Sequence, residues 1–427
     1  MVSRRAAGAG VVIAILAVAS AAWYRGSLGA PNRPSGAPAP GTVETSRGAL
    51  DRTIETLRVR ASADPGDGDA AVRLADALMR AARVRSDASL ALEAERVLRA
   101  SLNHGEDPSA QQMLAVVYLA QHRFRDALTV AEAALRADSD GPDGAWMAAV
   151  AGDALTELGR YDEAFARFDD AAARKPDAGV YARIAYAREI QGDLAGAESL
   201  MRMAAEATAA PDVEAQAWVF TQLGLVQLQR GRLADADRSF RRAEFAFPAH
   251  PYPLSGRVRL AVAQRRYGDA FALLDTAPET PETVATRGDL LAALGRAAEA
   301  EAAYQAAERL EREGWEQEEP QPAALARFLA ERDRDIPAAV ALAERAAVER
   351  DDIHTMDALA WAYFKAGRLD DATAAVTRAM RTGTADARIR CHADAIAAAR
   401  RSATPPRCSP LDVQRVDAPV LRAGMVN

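Results

Sequence analysis

The stretch DALAWAYFKAGRLDDATAAVTRAM, Asp357 to Met380, decides the fold. Leu359, Ala360 and Tyr363 fall at i, i+1 and i+4 and share one face of a helix. Gly367 ends that helix, because a left-handed residue after the last turn costs glycine nothing sterically. Arg368-Leu369-Asp370-Asp371 then opens a second helix with acids in its first turn, where the helix dipole favours them. Ala372, Val376 and Ala379 form the second apolar face. Neither helix buries its own face, so the unit is a hairpin that requires neighbours of the same kind.

Neighbours of that kind fill the chain. Aligned on Ala372, the same alanine recurs at Ala94, Ala127, Ala164, Ala197, Ala236, Ala270, Ala300 and Ala339, at spacings averaging about 35 residues. Ala145 to Ala178 is the fullest copy, with Gly152, Gly159, Tyr161, Ala164, Phe168, Ala171 and Pro176. Ala217 to His250 follows it with Trp218, Leu223, Gly224, Gly231, Ala236, Phe240, Ala243 and Pro248. This period and these residues match the tetratricopeptide repeat: a small residue, a turn, an aromatic, packing alanines and a terminal proline. The expected fold is all-α, a right-handed α-solenoid of about nine such hairpins.

The resemblance extends to one bacterial tetratricopeptide-repeat family. ELGRYDEAF (157–165), YARIAYAREIQGDLAGAESLMRMA (181–204) and DALAWAYFKAGRLDDA are similar to it, over roughly Ile54 to Ala399. The resemblance brings no assigned activity with it. Two recurrent family features are altered: Phe328-Leu329-Ala330-Glu331-Arg332-Asp333 replaces a Phe-Leu-Ala-Asp-His-Gly run, and Cys391-His392-Ala393-Asp394 replaces Tyr-His-x-Gly. Of the histidines in those runs, His392 alone remains.

Composition agrees with helices. Alanine dominates, aromatics are 6% of the 427 residues, and no alternating β-branched run is long enough for a strand. A net charge of −7 and the lack of a basic stripe with interleaved aromatics argue against a nucleic-acid partner.

The N-terminus bears on the compartment. After Arg4-Arg5 an uncharged run from Ala6 to Tyr24 would extend about 28 Å as a helix, enough to span a bilayer. The arginine pair orients such a segment with the rest of the chain exported. Residues 1–24 are therefore expected to be a signal anchor or, through Ala19-Ser20-Ala21, a cleaved signal peptide. Residues 25–45, with Pro31, Pro34, Pro38 and Pro40, read as an extended linker. Residues 46–400 form the solenoid, capped at its start by an amphipathic helix carrying Leu50, Ile54 and Leu57. Residues 401–427 read as an irregular, arginine-containing, solvated tail.

No motif for chemistry emerges: no G-x-S-x-G, P-loop, H-E-x-x-H or C-x-x-C. The five histidines have no metal-ligand spacing and read as surface or cap residues. Asp138-Ser139-Asp140-Gly141-Pro142-Asp143 lacks the glycine position and the closing Glu of a calcium loop and reads as an inter-repeat turn. The acidic run EREGWEQEEP (311–320) reads as a solvated loop. The expectation is a protein with no enzyme activity, no cofactor and no bound metal.

What remains is surface. In tetratricopeptide arrays the first helix of each hairpin lines a concave groove, with positions two, five and nine facing inward. Those positions give Trp146, Tyr186, Trp218, Tyr252, Phe328 and Trp361 as candidates for gripping an extended or helical peptide; the alternative is packing between hairpins. Position five reads Gln112, Ala149, Ala182, Thr221, Ser255, Ala285, Ala324 and Asp357, which lacks the lysine and asparagine that clamp a C-terminal carboxylate in some chaperone adaptors. Cys391 and Cys408, the two cysteines, either pair or stay as thiols; pairing would close a loop of roughly 15 residues and stabilise by about 3 kcal/mol. The reading is a membrane-tethered, exported scaffold or adaptor of the cell envelope with a protein or peptide partner. The alternative is an auxiliary subunit of an envelope enzyme or of a secretion or assembly machine.

Overall fold

A computed structural model describes residues 43–137, 143–209, 212–248, 250–314 and 321–411. Among them are twenty α-helices and no strand. Helix α1 (Val43–Ala63) leads into nine antiparallel pairs. These are α2 (Gly68–Arg85) with α3 (Ser89–Leu102), α4 (Pro108–Ala120) with α5 (Phe124–Ala137), and α6 (Gly144–Glu157) with α7 (Tyr161–Arg174). Next come α8 (Ala178–Ile190) with α9 (Leu194–Ala207), α10 (Val213–Gln229) with α11 (Leu233–Ala246), and α12 (Pro251–Ala263) with α13 (Tyr267–Leu274). The last are α14 (Pro281–Ala293) with α15 (Ala297–Gly314), α16 (Pro322–Glu331) with α17 (Ile336–Glu349), and α18 (Ile353–Lys365) with α19 (Leu369–Ala379). Helix α20 (Ala387–Arg400) closes the stack. The anchor or signal expected at 1–24 lies outside the described residues, and α1 begins within the stretch expected as linker.

One turn joins the two helices of all nine hairpins. Ser86, His122, Gly159, Gly192, Gly231, Arg265, Gly295, Asp333 and Gly367 each have a positive φ. The amide of the following residue donates back five positions, as Arg160 does to the Leu155 carbonyl at 2.9 Å and Arg368 to that of Tyr363 at 2.9 Å. This is the Schellman closure, which satisfies carbonyls orphaned at the helix end. Four of the nine turn residues are not glycine, so the hairpin imposes a left-handed conformation that costs an L-residue about 1 kcal/mol.

Packing between the helices depends on small residues. All nine register alanines, from Ala94 to Ala372, are buried. Gly152, Gly224 and Gly288 lie flat against the rings of Phe168, Phe240 and Tyr304, so that a Cβ at any of them would overlap the ring. Aspartates start many of the helices: Asp107, Asp177, Asp193, Asp212, Asp352 and Asp386 each accept an amide of the first turn.

The stack also touches itself across long sequence distances. Arg80 and Arg83 of α2 both donate to Glu214 of α10 at 2.8 Å, and Val84 packs with Ala217 and Phe247. Farther along, the links that follow α17 and α19 dock on the turns of earlier hairpins. The Tyr161 hydroxyl accepts from Ile353 N at 2.8 Å, Thr382 Oγ1 donates to the Ile190 carbonyl at 2.8 Å, and Arg125 donates to the Glu349 carbonyl at 3.1 Å.

These contacts separate two otherwise similar substitutions. Gly367 has open space where a Cβ would go, so Gly367→Ala pays only for its positive φ, about 1 kcal/mol. At Gly159 a Cβ would strike the Asp351 backbone. Gly159→Ala should therefore lower the thermal midpoint clearly more than Gly367→Ala; equal shifts would show that the 349–352 link does not hold the earlier turn.

Candidate functional site

The structure corrects the reading of the concave aromatics. Trp146, Trp218, Tyr252 and Trp361 are buried, with Trp146 fully excluded from solvent at 0% exposure, so they are core and not a gripping surface. Neighbouring hairpins bury Trp146 and Trp218, and the long-range closure reaches Tyr252. The α2–α10 contact brings the Arg83–Glu214 pair to the region of Trp218 and Tyr252. Trp361 lies between Phe364 at 4.8 Å and the His392 ring, which stacks on it at 3.9 Å and 9°. Tyr186 and Phe328 are half-buried. Phe328 sits beneath the Arg332 guanidinium at 4.7 Å and meets Tyr304 edge-on.

The densest polar cluster lies at the C-terminal end. His392 Nδ1 and Asp357 Oδ1 are 2.8 Å apart, both fully buried, and Arg388 donates to the other carboxylate oxygen at 3.1 Å. Burial opposes ionisation of Asp357, but His392 and Arg388 outweigh it and hold the carboxyl down at about 2. Sequence reasoning treated His392 as a surface or cap residue, and in fact it is core. Nothing here forms a nucleophilic centre: His392 Nε2 has no hydrogen-bond partner among the described residues, and Cys391 is engaged in a disulfide. No group of three or more His, Cys, Asp or Glu side chains suited to a metal occurs among the described residues. The loop at 138–142 and most of the acidic run, 315–320, lie outside them.

A second cluster sits where the C-terminal hairpins meet α6. Arg350 reaches Glu157 at 2.7 Å and Asp352 at 3.1 Å. One guanidinium serves two carboxylates. Asp352 also accepts from Thr355 N and is held below its ordinary range despite burial. Glu157 goes the other way: burial pushes it up to about 7 against the pull of Arg350, with Asp352 and Asp153 adding to the rise.

Beyond α20 the chain folds back on the solenoid. Ser402 has a positive φ and Ala403 N donates back to the Ala398 carbonyl, so the backbone reverses after α20. Cys408 then joins Cys391. Three residues on, Leu411 is buried in a cluster with Val258, Ala261 and Val262 of α12, Ala270 and Leu274 of α13, and Leu290 of α14. The segment expected to be solvated is mostly exposed, but Cys408 and Leu411 are anchored.

Two predictions follow from burial. Trp146→Ala, Trp218→Ala and Trp361→Ala should each cost about 3 to 5 kcal/mol of stability, seen as a lowered melting temperature; a change near zero would return that tryptophan to the surface. Glu157, raised from 4.5 to about 7, contributes stability that is full below about pH 4.5 and is lost as pH rises through about 7. Glu157→Gln should lack that loss, so between pH 5 and pH 8 wild type should fall relative to it by on the order of 2 kcal/mol. A difference that stays constant over that range would sink the assignment.

Known proteins agree with the geometry. Residues 113–179 and 221–282 match the family model described as tetratricopeptide repeat. Among curated proteins no sequence matches. Solved structures with a similar backbone include the human IFIT1 dimer with m7Gppp-AAAA, at 15% identity over 85% of this chain and 80% of that one, TM-score 0.50. Yeast Tom70 is similar at 16% identity over 84% and 87%, TM-score 0.43, and Pseudomonas aeruginosa pilF at 20% over 48% and 91%, TM-score 0.38. At such identities the likeness is one of fold alone. Residues 113–179 and 221–282 are thus tetratricopeptide repeats, set in an α-solenoid whose hairpins keep one turn geometry from α2 to α19.

Proposed function

We propose that this solenoid is a non-catalytic scaffold or adaptor of the cell envelope that holds a protein or peptide partner in its concave channel. The observation that carries the reading is the seating of a proline-bearing segment by one leucine side chain against α12, α13 and α14. Stacked repeats build extended concave surfaces, and an extended segment with a spaced apolar anchor is a ligand that such a surface takes. With the tryptophans in the core, the candidate aromatics left half-buried are Tyr186 and Phe328, the latter flanked by Arg332.

We place the solenoid outside the cytoplasm, tethered through residues 6–24 or released after cleavage there. The arginine pair ahead of the apolar run supports this orientation, and the Cys391–Cys408 disulfide supports an oxidising compartment. Among the described residues no helix is long and apolar enough to cross a membrane; the run itself lies outside them.

Two experiments test the reading. An alkaline phosphatase fusion after Gly41 should be active in a bacterial host; an inactive fusion, with an active cytoplasmic reporter at the same site, would overturn export. A photo-crosslinking side chain at Phe328 should capture a discrete partner that the same group at exposed Val59 of α1 does not. Identical adducts at both positions would reject a channel-specific partner.

A further inference from the structure

Residues 403–411, ATPPRCSPL, carry three prolines and end in the buried leucine. A segment with Pro405, Pro406 and Pro410 is held near an extended polyproline conformation, which lowers the entropy lost on docking. Between Ser402 and Leu411 only Cys408 and Leu411 are buried. The two anchors contact different parts of the solenoid. Cys408 belongs to the cluster built by α16 to α20 with Tyr161 of α7 and Ile190 of α8, and Leu411 to that of α12, α13 and α14. The segment therefore runs from the last helix back to hairpins more than 100 residues earlier in sequence. The Leu411 pocket is made of small and branched apolar side chains, which suit a single aliphatic anchor.

We propose that the apolar seat on α12–α14 is a binding site for an extended, proline-bearing peptide with a leucine anchor, and that residues 403–411 occupy it as a tethered competitor. The claim rests on the scaffold reading and names the ligand class of that site. The disulfide sets the strength of the competitor. It shortens the free tether to Leu411 from nine residues, counted from Ser402, to three, counted from Cys408. Effective concentration falls roughly as the −3/2 power of tether length, so opening the bridge should weaken self-occupancy about fivefold. Removing the leucine should weaken it further, because the anchor itself is lost while the bridge stays.

The probe is a fluorescent synthetic peptide of residues 403–411 with Cys408→Ser, added to three full-length proteins and read by anisotropy. Wild type with its disulfide intact should bind it most weakly. The double variant Cys391→Ser/Cys408→Ser should bind about fivefold more tightly. Leu411→Asp should bind most tightly of the three, with hydrogen-exchange protection on α12–α14. A probe carrying Asp in place of its leucine should not bind any of them. Leu411→Asp keeps the bridge, so it remains informative if the double variant unfolds; circular dichroism checks both. Equal affinity in all three proteins, protection away from α12–α14, or no binding to folded Leu411→Asp would overturn the proposal. The Phe328 photo-crosslink is read in the same proteins: if it persists while the peptide fails, the competitor is wrong and the scaffold stands. Loss of both rejects both.

Discussion

The structure depends on the contact between a buried alanine in each second helix and the first helix it crosses. Nine times that alanine is excluded from water, from Ala94 to Ala372. A side chain of one carbon lets two helix axes approach closely, and the approach is what brings the ring of Phe168 onto Gly152 and that of Phe240 onto Gly224. Phe240 also covers Gly256 of the next repeat, so the same ring closes one hairpin and docks it on its successor. A larger residue at any of these positions would separate the helices and uncover the neighbour as well. The fold thus tolerates wide variation on its surface and little at these points.

This constraint also explains what the sequence made legible. Alanine spacing marks all nine hairpins, whereas glycine marks only five of the nine turns; Ser86, His122, Arg265 and Asp333 adopt the same left-handed conformation without it. Packing leaves a stronger trace than turn chemistry here because an alanine replaced at a crossing has no substitute. A turn residue under strain is stabilised by the hairpin around it. The disulfide was legible only as one of two options, since 17 residues of separation fix no distance.

The aromatic groove was not legible, for a physical reason. Repeat position tells which side of a hairpin a residue faces, but not what lies opposite. Trp218 faces inward as its register requires, and the same inner wall then meets α2, whose Arg83 and Val84 are over 130 residues earlier. The curvature that brings α2 to α10 is the sum of many small rotations between hairpins, none of them written at Trp218. His392 fails the same way. As an isolated residue with no ligand spacing it reads as surface, while one repeat back Asp357 and Trp361 supply its partner and its stacking plane.

The long-range ties combine apolar surface with buried charge, and the charge fixes their geometry. Glu214 with Arg83, and Glu157 and Asp352 with Arg350, are buried or nearly so, and Arg80 joins Glu214 from a partly exposed position. Such pairs return little net stability over an apolar contact, because the ions lose their hydration, yet removing one partner is costly. They therefore fix one curvature of the superhelix without greatly deepening its minimum. Apolar ties at the same places could slide by a helical turn, whereas a guanidinium bonded to two oxygens cannot without leaving an unpaired buried charge. The ties join α2 to α10 and α6 to the link ahead of α18, so both halves of the stack are held, while Phe328 stays half-buried and Leu411 sits against α12–α14.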